Sequence, residues 1–123
     1  MPLSSDKLSR MADYQRRLQR QKAKDLAIRK TQADEEIRTL VGKFLSLDPT
    51  ITKIILFGSL ARDDVSSPDF DIDLAVSCSG ENFLALVALA LYSPFKVDVV
   101  ELATADSRIK SAVVREGIVV YEK

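Results

Sequence analysis

Histidine is absent from the 123 residues, tryptophan is absent too, and cysteine occurs once. Without histidine, zinc centres and histidine-based general-base chemistry lose their usual ligands and bases. Cys78 alone can form neither an internal disulfide nor a thiolate metal cluster. Any metal must therefore sit on oxygen ligands, which selects magnesium, manganese or calcium. Four glycines and four prolines are too few for a low-complexity chain. No stretch approaches the roughly 20 apolar residues of a membrane span. The longest apolar run, Phe83 to Tyr92, reads as a buried helix. Met1 to Arg10 holds no apolar signal region. A cytoplasmic chain with no membrane contact is the expectation.

What is present is a single core's worth of apolar residues, 46% of the chain, and a lopsided charge. Net charge is zero, yet residues 1–30 carry nine Lys/Arg against three Asp, a balance of +6. Residues 31–123 carry nine Lys/Arg against fifteen Asp/Glu, a balance of −6. Ser4 and Ser5 can cap a helix that runs without glycine or proline to about Lys30. That helix is poor in large apolar residues. Leu8, Met11 and Leu18 fit a heptad seam, but Gln15 interrupts it. The segment reads as a solvated arm, as a docking helix for a partner or a second copy, or, on weaker grounds, as a nucleic-acid-binding arm. Thr31 before Asp34-Glu35-Glu36 looks like a fresh helix start. Residues 1–30 are therefore expected to be a basic helical extension and residues 31–123 the folded domain. A single helix from Ser5 to Leu47 would be about 65 Å long at ~1.5 Å per residue. Either a break falls near Thr31 or the arm projects.

From Ala33 the apolar residues Ile37, Leu40, Val41, Phe44 and Leu45 recur at three- and four-residue spacing, the mark of one buried face. Asp48-Pro49 ends the pattern. Strands are expected at Lys53–Phe57, Phe70–Ser77, Lys96–Leu102 and Ile118–Tyr121, and helices at Glu81–Leu91 and Asp106–Arg115. A short helical turn is expected near residues 60–64. The result is an α/β (α+β) domain with one mixed four-stranded sheet covered by helices.

The stretch Phe57 to Val76 carries the chemistry. Residues two apart on a strand share a face, so Asp71 and Asp73 point together while Ile72 and Leu74 turn into the core. Clustered carboxylates repel and need counter-charge. With Arg62 the one local arginine, a divalent cation is the natural partner. Asp98 lies between Val97 and Val99 in an apolar strand, where a lone carboxylate is costly unless paired or metal-bound. Beside the second strand it would complete a three-carboxylate cluster for one or two magnesium ions. Gly58-Ser59 ends the first strand, and such a turn lets backbone N–H groups and a hydroxyl reach phosphate oxygens. Arg62 could neutralise a phosphate or pair with Asp63 or Asp64. Glu101 alternates with Val97 and Val99, so it should face away from the site. A calcium loop starting at Asp69 fails, because Leu74 and Gly80 stand where glycine and glutamate are required.

Gly-Ser, then Ala61-Arg62, a polar loop and an Asp-x-Asp strand together resemble the nucleotidyltransferase superfamily related to DNA polymerase β. Within it the chain is most similar to the minimal nucleotidyltransferase (MNT) group. Ile109, Val113, Arg115-Glu116-Gly117 and Val119-Val120-Tyr121-Glu122 match that group's usual close. The resemblance spans roughly residues 35 to 122 and leaves residues 1–30 unexplained. It implies a nucleotidyltransferase fold, with Gly58 and Ser59 on nucleotide phosphates and Asp71, Asp73 and Asp98 on Mg2+ or, alternatively, Mn2+. It further implies Asp98 as base, ATP or another nucleoside triphosphate as donor, and a HEPN-type helical toxin as partner, which the chain would neutralise as antitoxin, in some relatives by placing AMP on a toxin tyrosine. Two departures stand out. Eleven residues separate Ser59 from Asp71, one more than usual, and Asp63 replaces a common glycine. The register Asp69/Asp71 is the alternative pair, but the apolar Leu74-Ala75-Val76 directly after Asp73 favours Asp71/Asp73. The competing function is the same fold as a silent binding module that masks a partner without chemistry.

Overall fold

A computed structural model describes residues 4–123. Its first element, α1, runs unbroken from Ser5 to Leu47. Ser4 caps it, its hydroxyl oxygen accepting the Lys7 N–H at 3.2 Å. The fresh start expected at Thr31 does not occur. The Thr31 hydroxyl instead donates to the Ala27 carbonyl one turn back, at 3.2 Å, so the residue is absorbed into the helix rather than capping a new one. Ala33, Ile37, Leu40 and Phe44 form the buried stripe that the spacing announced. Contact with the body begins earlier, at Leu26. Asp48 ends the helix and is fully buried. Its Oδ1 accepts from the Thr50 N–H at 2.9 Å and the Thr50 hydroxyl at 2.6 Å, fixing the turn that leads to the first strand.

Four strands form one mixed sheet in the order β3-β2-β1-β4. They are β1 (Lys53–Phe57), β2 (Ile72–Ser77), β3 (Val97–Glu101) and β4 (Ile118–Glu122). β1 pairs antiparallel with both β2 and β4, and β2 pairs parallel with β3. A parallel pair needs a crossover, and here α3 (Phe83–Ala90) supplies it. The strand expected from Phe70 starts at Ile72, leaving Asp71 just ahead of it. Phe70 is instead buried against Phe95, with ring centroids 5.9 Å apart.

Strand alternation sorts the core into two faces. Ile54, Leu56, Ile72, Leu74 and Val76 pack under α1 and α3. Ile55, Phe57 and Ala75 pack under Val113 of α4 (Ser107–Glu116). Asp106 caps α4, Oδ1 accepting the Ile109 N–H at 2.9 Å. Asp71 and Asp73 fall on the α4 side by the same alternation, beyond the apolar patch. Among the described residues no helix is long and apolar enough to cross a membrane.

Candidate active site

β1 ends at Phe57, and the chain turns at Gly58 into α2 (Gly58–Ala61). Gly58 has φ +81°, a conformation that costs a side-chain-bearing residue about 1 kcal/mol or more. Sterics demand glycine a second time, because a Cβ there would run into the Asp73 carboxylate. The contact follows from register, since Phe57 pairs with Asp73 across the antiparallel ladder. The turn therefore lies directly on the carboxylate face.

Asp73 pairs in register with Asp98 across the parallel ladder, and Asp71 stands two residues before Asp73 on the same face. All three predicted acids are brought together. Asp73 is half-buried, and its carboxyl is pushed up to about 6, first by burial and then by the charges of Asp98 and Asp71. Lys96 and Arg62 pull the other way. Lys96 was not foreseen in the sequence: its Nζ is 3.6 Å from Asp71 Oδ2, an exposed and well-screened contact. Among the described residues no three acidic side chains stand close enough together to hold a metal ion as they lie. The donor set nevertheless suits a hard divalent cation, which would offset the burial and the mutual repulsion that raise Asp73. Between the glycine turn and Asp71 lies a cleft of about 270 Å³, lined by Ser59, Ser66, Ser67, Asp69 and Asp71. A larger hollow of about 700 Å³ lies along α1 between Arg38 and Leu47, lined by none of the clustered acids.

Arg62 pairs with Asp64, one of the two partners expected, and more closely with Glu116, which the sequence marked only as part of the closing motif. Its Nη1 is 3.0 Å from both carboxylate oxygens of Glu116, and its Nε is 3.8 Å from Asp64. Glu116 Oε1 also accepts the Gly58 N–H at 3.1 Å. The Arg62 guanidinium, then the Gly58 N–H, hold the Glu116 carboxyl below its ordinary range. One signal for Glu116 was available. It is the last residue of α4, where the helix dipole disfavours an acid, so a partner was called for. Asp63 has φ +55°, the left-handed conformation that glycine often fills and aspartate tolerates. Lys30 of α1 holds its carboxylate at 2.8 Å. Glu101 lies by Gly80, on the face opposite Asp98, as alternation required.

A strand-end glycine turn closing on an Asp-x-Asp strand, with a third aspartate from the parallel neighbour, is the arrangement of the nucleotidyltransferase fold. Residues 39–123 match the family profile described as Polymerase beta, Nucleotidyltransferase, and the chain belongs to that family. Among curated proteins no match reaches significance. Solved structures do match. One chain of a toxin–antitoxin crystal structure with AMP-PNP is 27% identical, with TM-score 0.57 over 69% of this chain and 73% of that one. A second comes from the complex of a tri-AMPylated Shewanella oneidensis HEPN toxin with its MNT antitoxin. It is 25% identical with TM-score 0.53, covering 76% of this chain and 73% of that one. A Sulfolobus solfataricus protein assigned as a nucleotidyltransferase shares the fold, with TM-score 0.59 at 14% identity over 80% of this chain and 88% of its own. Within that family the chain is similar to structures from MNT-type toxin–antitoxin complexes.

Proposed function

We propose that the chain transfers a nucleoside monophosphate, AMP from ATP, to an acceptor hydroxyl, a tyrosine of a HEPN-type helical toxin, and so acts as a cytoplasmic antitoxin. The observation that carries the reading is the register of Asp73 on Asp98 beside Asp71, directly under the Gly58 turn. Three crowded carboxylates cost stability unless a ligand repays them, and a silent binder has no use for that cost. The similar chains come from complexes that contain AMP-PNP or an AMPylated toxin, which supports this choice of donor and acceptor.

Asp71, Asp73 and Asp98 would hold Mg2+, one ion or two, with Mn2+ as substitute. When bound, the metal supplies charge for the triphosphate and its leaving group. Ser59 and the backbone of the Gly58 turn orient the phosphates. Asp98, exposed on the outer strand, takes the proton from the acceptor hydroxyl. The acceptor oxygen then bonds to the α-phosphorus, the bond to the bridging oxygen breaks, and pyrophosphate leaves with its electron pair.

Intact-protein mass spectrometry tests this with the chain, magnesium, each nucleoside triphosphate in turn and the protein encoded beside it. An AMP-sized gain on the neighbour, with ATP alone and lost in D71N/D73N, is expected. Tight complex formation without any mass gain would replace the reading with that of a silent masking module.

A further inference from the structure

Gly58, Arg62 and Glu116 are tied by one carboxylate across a sequence gap of more than fifty residues. The Glu116 side chain is 9% exposed, although it belongs to a residue type that normally reaches into water. Its oxygens are shared between the Gly58 N–H at 3.1 Å and Arg62 Nη1 at 3.0 Å. Gly58 is the residue against which the Asp73 carboxylate lies. Glu116 therefore grips the back of the turn whose front faces the acidic cluster. Arg62 Nε leans on Asp64 at 3.8 Å, so two of the three guanidinium nitrogens already face carboxylates. A nucleotide phosphate approaching Arg62 would meet a charge that Glu116 has largely neutralised.

We propose that Glu116 is a positioning residue for nucleotide binding, fixing the Gly58-Ser59 turn, and that Arg62 acts through Glu116 rather than by touching the triphosphate. The inference rests on the nucleotidyltransferase reading above. The physical content is a linkage. α4 holds its last turn against α2, and the carboxylate transmits that placement to the backbone that meets the phosphates. Removing the charge of Glu116 frees the Gly58 amide and the guanidinium together. Removing Arg62 leaves a near-buried carboxylate without its main partner, which disturbs the same turn. The two substitutions are therefore not independent.

Calorimetric binding of Mg·AMP-PNP to the full-length chain tests this with E116Q, E116D, R62Q and the E116Q/R62Q double variant. E116Q and R62Q should each weaken binding by about five- to tenfold, the scale of one ordinary hydrogen bond. The double variant should be no weaker than the worse single one, and E116D should recover most of the loss. The Gly58 amide resonance should move in E116Q without nucleotide, and melting curves check that each variant folds. An R62Q penalty that persists in full on the E116Q background would show direct phosphate contact and overturn the proposal. Wild-type binding matched by E116Q would overturn it alone. A wild-type chain that binds no nucleoside triphosphate would sink both it and the function on which it rests.

Discussion

The two halves of α1 share one helix and almost nothing else. From Ser5 to Asp25 every residue but Ala12 is exposed, while from Leu26 onward the helix buries Ala33, Ile37, Leu40 and Phe44 in the core. Neither half contains a helix breaker before Gly42, so both stay helical. The first half relies on local pairs such as Asp13–Arg16 at 3.3 Å and Gln21–Asp25 at 2.9 Å, each worth a few tenths of a kcal/mol. The second half has large apolar residues at helical spacing. Helix formation and docking are thus separate properties, and periodic apolar side chains decide only the second. The family match begins at Thr39, inside the docked half.

The docked half opens with a short clasp. Arg29 stacks over the Phe95 ring, 3.6 Å from its centroid, and donates to the Pro94 carbonyl at 3.2 Å. Lys30 holds Asp63. These contacts reach both flanks of the site: Phe95 packs on Phe70, next to Asp71, and Asp63 follows Arg62. The basic residues nearest the body belong to it mechanically, whatever the rest of the arm does.

The sharpest way to break the contrast is Phe44→Ala in the docked half. It should cost about 3–5 kcal/mol in urea unfolding, since the ring is fully buried under the sheet. Next comes truncation. Removing residues 1–25 should leave the body's melting temperature almost unchanged, whereas removing 1–30 strips Leu26, Arg29 and Lys30 and should lower it by several degrees, a loss of about 1–2 kcal/mol. Equal melting of the two truncations would dissolve the clasp. A body-only test uses pH. Because the fold raises the Asp73 carboxyl to about 6, ionising it costs stability as pH climbs from about 4 to about 6, and the full cost stands above that. Asp73→Asn should therefore stabilise the metal-free protein above pH 6 by roughly 1 kcal/mol after solvent screening, with no gain at pH 4. Smallest of all, Leu18→Ala in the free half should shift stability by less than about 0.5 kcal/mol. If the basic arm meets the acidic body of a second copy, replacing Arg16, Arg17 and Arg20 by Glu should weaken a salt-sensitive self-association seen by light scattering.

Much of the architecture was legible because its signals are local. Apolar runs that end at Gly58 or follow Pro94 and Gly117 mark three of the strands, and alternation alone set Asp71 and Asp73 on one side and Glu101 away from Asp98. Gly58 carried its own explanation once a phosphate turn was suspected. The contacts that the sequence hid are all distant in chain order. Glu116 reaches Gly58 and Arg62 across 58 and 54 positions, and Lys30 reaches Asp63 across 33. No periodicity announces such pairs. Thr31 misled for a different reason. A threonine ahead of three acids is a good cap, but its hydroxyl found a carbonyl one turn back, and the helix had no reason to stop.

The long helix also governs how the protein behaves as a particle. A compact chain of this length has a radius of gyration of about 14 Å. Forty-three helical residues make a rod of about 65 Å, whose own radius of gyration is about 19 Å. A single copy will therefore elute early from a sizing column and tumble slowly, imitating a compact dimer. Its stoichiometry has to be read from mass, because its shape alone makes one molecule look like two.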